Sequence, residues 1–440
     1  MNEDIINLHV KNFRAIHEAI IKINGITVVA GLNGCGKSTL SKLLYYVFKV
    51  TNNFEQSVAK EINSELNKFR SAVMYLSNAI RVNTQLLVSI HQRLFEFEEN
   101  NILSKERNIL DFLDWLSNKI NENKGKNDDI KKNQIERSIV IFRDIFKSDS
   151  SLKTELDQLS SATNLIPFVN LLKIYVKSLY NRFNQHLITK PRLYLHREIR
   201  EAFHTASLPD LIEVSEFSEL IISKEQTMQT PFSILNVIYI DTPMLLGNNE
   251  ISHWNDVNLK LLHQDSIIGN RSDQNIEKLF FNDILEGNAT IEYNEELDHF
   301  VFRTKQGIEI DLRDCATGIK SFAIINFLVK NKSINDKTLL ILDEPEAHLH
   351  PQWIVEYGRM LTLINKHIGA KIFVATHSPD MVQSLKYIPK KEGIEDKVNF
   401  YLAEQVSNLQ FNFKNLGDNI SEIFDSFNIS YEKLEKYGED

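Results

Sequence analysis

The octapeptide Gly31-Leu32-Asn33-Gly34-Cys35-Gly36-Lys37-Ser38 constrains this chain more than any other stretch. It fits the phosphate-loop pattern of a glycine, four residues, then Gly-Lys-Ser. Such a loop works only between a buried strand and the N-terminus of a helix, where backbone N–H groups and the helix dipole converge on an anion. The flanks agree with that demand. Ile26 to Ala30 is almost wholly apolar, like a central strand buried on both faces, and Thr39 to Phe48 has helical character. The chemistry expected is binding of a nucleotide's phosphates by Asn33, Gly34, Cys35, Gly36, Lys37, Ser38 and Thr39. Lys37 would bridge the β and γ phosphates, and the Ser38 hydroxyl would ligate Mg²⁺.

Glycine and proline punctuate a sequence because both are costly inside helices. Between Gly36 and Gly247 only Gly125 occurs, and the first proline is Pro167. We read residues 51–230 as a helical insertion between an N-terminal part of a nucleotide-binding head (1–50) and a C-terminal part (231–440). Around it, Ile6, Leu8 and Val10 alternate as a half-buried strand, and Ile20 to Ile23 offers a second. Val237 to Ile240 follows the insertion, then Thr290 to Tyr293, His299 to Arg303 and Ile308 to Leu312 as hairpin-like strands. Thr338 to Leu342, Lys371 to Ala375 and Val398 to Leu402 are short apolar strands, and strand–helix–strand spacing indicates a largely parallel sheet wrapped by helices. The expected class is α/β, with a mostly parallel sheet and an antiparallel subdomain. Within the insertion, Ala59, Ile62, Leu66, Phe69, Val73, Leu76, Ile80, Asn83, Leu87, Ile90, Leu94 and Phe97 form a heptad seam broken once, at Asn83. It is long enough for an arm of about 60 Å. A compact lid is preferred, because the second amphipathic stretch (Ile135, Ile139, Phe142, Ile145) lacks a matching seam and Phe168 to Leu187 supplies a third helix.

Far downstream, the strand Thr338 to Leu342 delivers Asp343 and Glu344 to its C-terminal end, which is what an Mg²⁺ site needs. Asp343 would reach the metal and Glu344 would orient or deprotonate the attacking water. The next strand ends Thr376-His377-Ser378, where an imidazole can donate to a γ-phosphate. Thr317-Gly318, ahead of the apolar run Phe322 to Val329, makes another helix-head anion seat. His348-Leu349-His350 beside Glu346 is read as a contact loop in preference to a metal site. The basic segment Lys190, Arg192, His196, Arg197 and Arg200 is read as a solvated helix face or linker in preference to a phosphate contact.

The order phosphate loop, helical interruption, glycine-containing helix start, Asp-Glu strand and Thr-His switch resembles the ABC-type ATPase head shared by SMC and RecF proteins. Asn12-Phe13-Arg14, Asp343-Glu344-Pro345-Glu346-Ala347-His348-Leu349-His350-Pro351 and Ala375-Thr376-His377-Ser378-Pro379 are more narrowly similar to ATPases of the overcoming-lysogenisation-defect group and of phage-defence systems, the Septu ATPase subunit first and the PARIS one next. The resemblance covers roughly residues 1–50 and 235–405. It implies ATP and Mg²⁺ as ligands, sandwiched between two copies of the head. Thr317 and Gly318 of one copy would face the γ-phosphate of the other, with Glu344 the catalytic base, His377 the γ-phosphate sensor and Lys37 the phosphate clamp. The signature serine is Ala316 here, which implies slow hydrolysis.

Fifty Lys plus Arg against 59 Asp plus Glu leave a net charge of −9, so any nucleic-acid contact has to be local. Two cysteines cannot build a disulfide framework, which suits a reducing cytoplasm. The start carries acids where a secretory signal would be basic, and no run approaches the roughly 20 apolar residues of a membrane helix. The tail after His377 is too short for an appended nuclease, so the resemblance implies a separate effector nuclease as partner. The expected function is an ATP-dependent sensor and scaffold of an anti-phage complex, homodimeric or larger. The alternative is an SMC- or RecF-like DNA-repair or DNA-clamping ATPase.

Overall fold

The computed structural model describes residues 6–79, 105–122, 132–147, 149, 152–223, 227–262, 289–294, 299–347 and 349–427. The chain divides into two compact units, residues 1–52 with 192–440, and residues 53–191. In the first, β1 (Ile6–Phe13) and β2 (Ile16–Ile23) pair antiparallel, and β3 (Ile26–Ala30) runs through the glycine loop into α1 (Lys37–Asn52). The second unit holds α2 (Phe54–Ala79), α3 (Glu106–Glu122), α4 (Lys132–Ile145), α5 (Lys153–Gln158) and α6 (Ile166–Thr189).

The first unit resumes with α7 (Leu193–Phe203), β4 (Leu211–Glu216), β5 (Glu219–Ile222), β6 (Asn236–Ile240) and α8 (Ser252–Leu262). A small antiparallel sheet, β7 (Ala289–Asn294), β8 (His299–Thr304) and β9 (Glu309–Asp311), precedes α9 (Thr317–Lys330). Then come β10 (Thr338–Asp343), α10 (Pro351–Ile368), β11 (Lys371–Thr376), α11 (Pro379–Glu392), β12 (Val398–Ser407), β13 (Gln410–Asn415) and α12 (Ser421–Phe427).

The large sheet runs β5-β4-β1-β2-β13-β12-β3-β11-β10-β6. From β12 to β6 every neighbouring pair is parallel. Of these, β3, β10 and β11 are buried along their whole length because helices cover both faces. On one face, Val28, Leu340, Leu342, Ile372 and Val374 join Phe322, Ile325, Met360, Leu361 and Met381 in the main core. Complete burial of a Leu or Phe of this kind contributes about 1.5–3 kcal/mol. On the other face, α1 packs along β6, β10 and β11. The α/β class with its parallel sheet and antiparallel subdomain is the expected one.

In the second unit, the α2 residues Ile62, Leu66, Phe69, Val73 and Leu76 of the heptad seam are buried, and α2 and α3 both pack on α6. The Tyr175 hydroxyl of α6 donates to the Glu65 carbonyl at 3.0 Å, and Phe142 meets Phe168 edge-on at 5.0 Å. The rest of the seam, Ile80 to Phe97, lies outside the described residues.

Residues 192–230, read above with the insertion, contribute to the first unit instead. Here β4 pairs with β1, Ile6 opposite Glu216 and Lys11 opposite Leu211, and folds back into β5 through a two-residue turn. That turn is Phe217-Ser218, with φ of 52° and 70°. Tight hairpins normally announce themselves by Asn or Gly at such positions, and this one does not. Arg192 belongs here too: its Nη1 donates to the Ser223 carbonyl at 2.6 Å, so it ties the hairpin to the head of α7.

Candidate functional site

The C-terminal ends of parallel strands are where an open α/β sheet presents its loops. Register brings three such ends together. Ala30 of β3 pairs with Thr376 of β11, and Ala375 of β11 pairs with Asp343 of β10. The three motifs, far apart in sequence, therefore emerge side by side.

The loop after β3 depends on its glycines. Gly34 and Gly36 have φ of 81° and 98°, a region that L side chains rarely adopt. At Gly36 a Cβ would also stand 3.2 Å from Ile16 Cγ1 of β2. Asn33, Gly34 and Ser38 are exposed, Thr39 is half-buried, and Cys35 is buried. Burial pushes the Cys35 thiol up. Lys37 opens α1 and is only 3% exposed. Its Nζ donates to the carbonyls of Gly31 at 2.8 Å and Leu32 at 3.0 Å. A buried ammonium resting on neutral carbonyls is poised to exchange them for phosphate oxygens.

Asp343 ends β10 and is 6% exposed. The Tyr239 hydroxyl of β6 donates to its Oδ2 at 3.2 Å, while Oδ1 is buried without a hydrogen-bond partner. Burial pushes this carboxyl up to about 6, against the pull of neighbouring Ser38 and Tyr239. An orphaned carboxylate oxygen beside a serine hydroxyl fits a hard divalent cation such as Mg²⁺. Among the described residues no cluster of three or more His, Cys, Asp or Glu could hold a metal by itself, so the remaining ligands would be water and phosphate oxygens.

The raised value has a measurable consequence. The unfolded carboxyl releases its proton near 3.8 and the native one near 6, so folding takes up a proton between those values. Metal-free, the protein is expected to lose stability as pH rises through that window, by up to about 3 kcal/mol at about 1.4 kcal/mol per unit. Asp343→Asn should therefore unfold at higher denaturant than the parent in EDTA at pH 8, with the gap closing toward pH 4. An equal midpoint at both pH values would show that burial imposes no such penalty.

Glu344 follows with φ of 51°, a strained conformation for a non-glycine residue, held by its N–H donating to the Ala375 carbonyl at 2.8 Å. His377 Nδ1 lies 3.3 Å from Glu344 Oε1 and 3.5 Å from Glu346 Oε1. Glu346 is the site residue whose role the sequence did not reveal. It is 6% exposed, and its Oε1 accepts from Thr376 Oγ1 at 2.6 Å and from the His377 N–H at 2.9 Å. One carboxylate thus fastens the end of β11 to the loop after β10. A second acid on a proline-bearing turn directly after Asp-Glu was the available signal.

Thr317 and Gly318 head α9. Ala316 caps the helix without a side-chain hydrogen bond, so the first-turn N–H groups receive no side-chain oxygen from it. Gly318 is required by packing, since a Cβ there would come within 2.6 Å of the Trp353 ring. His350 caps α10, accepting from Gln352 N–H through Nδ1 at 3.4 Å; His348 lies outside the described residues. The Asn12-Phe13-Arg14 segment anchors α7: Arg14 Nη2 donates to the Phe203 carbonyl at 2.6 Å, and Phe13 and Phe203 meet edge-on at 5.1 Å. Lys42 Nζ donates to the adjacent Ala202 carbonyl, so two cations face the negative end of that helix.

Residues 4–382 match the AAA ATPase domain family. The Septu protein PtuA of Bacillus thuringiensis is 38% identical over 90 residues, 20% of this chain and 21% of that protein. The chain thus matches about a fifth of that relative's length. The uncharacterized protein MJECL11 of Methanocaldococcus jannaschii is 30% identical over 112 residues, 26% of this chain and 94% of that protein. Among solved structures, the Smc head domain with a coiled coil and joint from Pyrococcus yayanosii has a TM-score of 0.38 at 10% identity, covering 97% of this chain and 99% of that one. The Smc head domain bound to the C-terminal domain of ScpA, from Pyrococcus furiosus, has a TM-score of 0.36 at 11% identity, covering 96% and 98%. No helix among the described residues is long and apolar enough to cross a membrane.

Proposed function

This chain belongs to the AAA ATPase domain family, and we propose that it binds ATP between two copies of its head, hydrolyses it slowly, and through that cycle holds and controls a separate effector nuclease in defence against phage. The observation that carries the ATPase part is the convergence of Lys37, Ser38, Asp343, Glu344 and His377 at the ends of β3, β10 and β11. The family assignment supports it independently.

In this reading the glycine loop and the head of α1 wrap the phosphates with backbone N–H groups, and Lys37 turns from its carbonyls to the β and γ oxygens. Ser38 and Asp343 would hold Mg²⁺, which supplies charge neutralisation on those phosphates. Glu344 takes the proton of the attacking water. His377, with Nδ1 turned to the two carboxylates, keeps Nε2 for the γ-phosphate. Glu346 holds that imidazole and its strand end in place. Thr317 and Gly318 would complete the site of a second copy. Ala316, where the resembled heads carry serine, removes one donor to the γ-phosphate, and slow turnover follows from that loss.

The defence part rests on the Septu-like motifs and on the partial identity with PtuA. Its test is a plaque assay on cells carrying this gene with its neighbouring reading frame. Protection should disappear with Lys37→Ala, and unaltered protection would reject the defence role. Salt-sensitive DNA binding by the purified chain, strengthened by ATP, would instead favour a DNA clamp.

A further inference from the structure

Two aspartates stand side by side at the C-terminal edge of the sheet. Leu342 of β10 pairs with Ile240 of β6, which sets Asp343 next to Asp241. Charge alone does not distinguish them as metal ligands, but their hydrogen bonds do. Asp241 has both oxygens engaged: Oδ1 accepts from the Trp254 indole and from Thr242 N–H, each at 2.7 Å, and Oδ2 lies 3.0 Å from His253 Nε2. Asp343 has Oδ2 held by the Tyr239 hydroxyl, while Oδ1 is buried without a hydrogen-bond partner and the Ser38 hydroxyl stands beside the carboxylate.

We propose that Tyr239 is a positioning residue for Mg²⁺: by holding Asp343 Oδ2, its hydroxyl fixes the carboxylate so that Oδ1 remains directed to the metal. The inference rests on the nucleotide-binding reading above. A carboxylate at the end of a strand can rotate about χ2, and a ligand that rotates away must be recovered at each binding event. A hydroxyl on an adjacent strand removes that freedom, as outer-shell groups commonly do for metal-ligating carboxylates. Tyr239 is itself well held. It is 3% exposed, with the His253 ring 4.7 Å and the Tyr45 ring 5.7 Å from its own. His253 is fastened in turn by Asp241, so that aspartate serves to brace the tyrosine that orients its neighbour.

The experiment compares Tyr239→Phe with the parent for binding of a non-hydrolysable ATP analogue, in EDTA and in saturating Mg²⁺. Phenylalanine keeps the ring and removes only the hydroxyl. The gain in affinity on adding Mg²⁺ is expected to fall about tenfold or more, with affinity in EDTA unchanged. Tyr45→Phe is the control, since that hydroxyl bonds Asp256 instead, and it should keep the full gain. An unchanged Mg²⁺ gain in Tyr239→Phe overturns the proposal. So does an equal loss with and without Mg²⁺, which would mean that the hydroxyl merely holds the fold. If the parent binds no nucleotide under either condition, the nucleotide reading falls and takes this inference with it.

Discussion

Replacing Lys37 with alanine is expected to reduce ATP turnover at least about 100-fold, the loss typical when a preorganised donor to developing charge is removed. The reason is visible in how the side chain is held. Its ammonium is almost fully buried, yet its oxygen partners are the neutral carbonyls of Gly31 and Leu32. Two carbonyl dipoles compensate a desolvated cation only partly, and phosphate oxygens with full negative charge would compensate it better. Binding should therefore weaken along with turnover, and the variant should stay monomeric in Mg²⁺ and ATP. Because alanine removes a buried charge and leaves no counter-charge behind, the fold should survive with a melting curve close to the parent's. Steady-state phosphate release and equilibrium nucleotide binding are the measurements. A variant that turns over at the parental rate would mean the loop is not where the phosphates sit.

Glu344→Gln should separate binding from chemistry. An amide cannot take a proton from water, and loss of a general base costs about 10²–10⁴ in rate. Glutamine keeps the side-chain length, so the backbone at φ of 51° and its hydrogen bond to Ala375 should be retained. Nucleotide affinity should match the parent or exceed it, since one negative charge leaves the neighbourhood of the phosphates. If ATP joins two heads, it then persists between them. Sedimentation in Mg²⁺ and ATP should show a long-lived dimer for this variant, a decaying one for the parent, and none for Lys37→Ala. Parental turnover in Glu344→Gln would place the base elsewhere and leave Glu344 as a neighbour of His377 only.

The contrast between Asp343 and Glu346 shows how far such expectations reach. Asp343 was legible because the apolar run Leu339 to Leu342 carries it, and strand direction alone puts the next polar side chain at the sheet edge. Glu346 and Tyr239 were not, because their roles consist of one or two hydrogen bonds to residues distant in the chain, Thr376 and His377 for one and Asp343 for the other. The β4–β5 hairpin escaped for a different reason: its turn places Phe217 and Ser218 where the backbone favours glycine or asparagine.

What the amino-acid order by itself determined was everything set by neighbours along the chain: the glycine-dependent loop between a buried strand and a helix head, the Asp-Glu pair at a strand end, and the amphipathic helices. Local stereochemistry and hydrophobic period fix those features whatever the rest of the molecule does. Only the tertiary structure decided that β11 lies between β3 and β10, that β4 and β5 extend the large sheet, and that Asp241 has both oxygens engaged while Asp343 Oδ1 is buried without a hydrogen-bond partner. Those outcomes depend on strand order and on hydrogen bonds between distant residues, which many chain arrangements would satisfy locally and only the packed sheet selects.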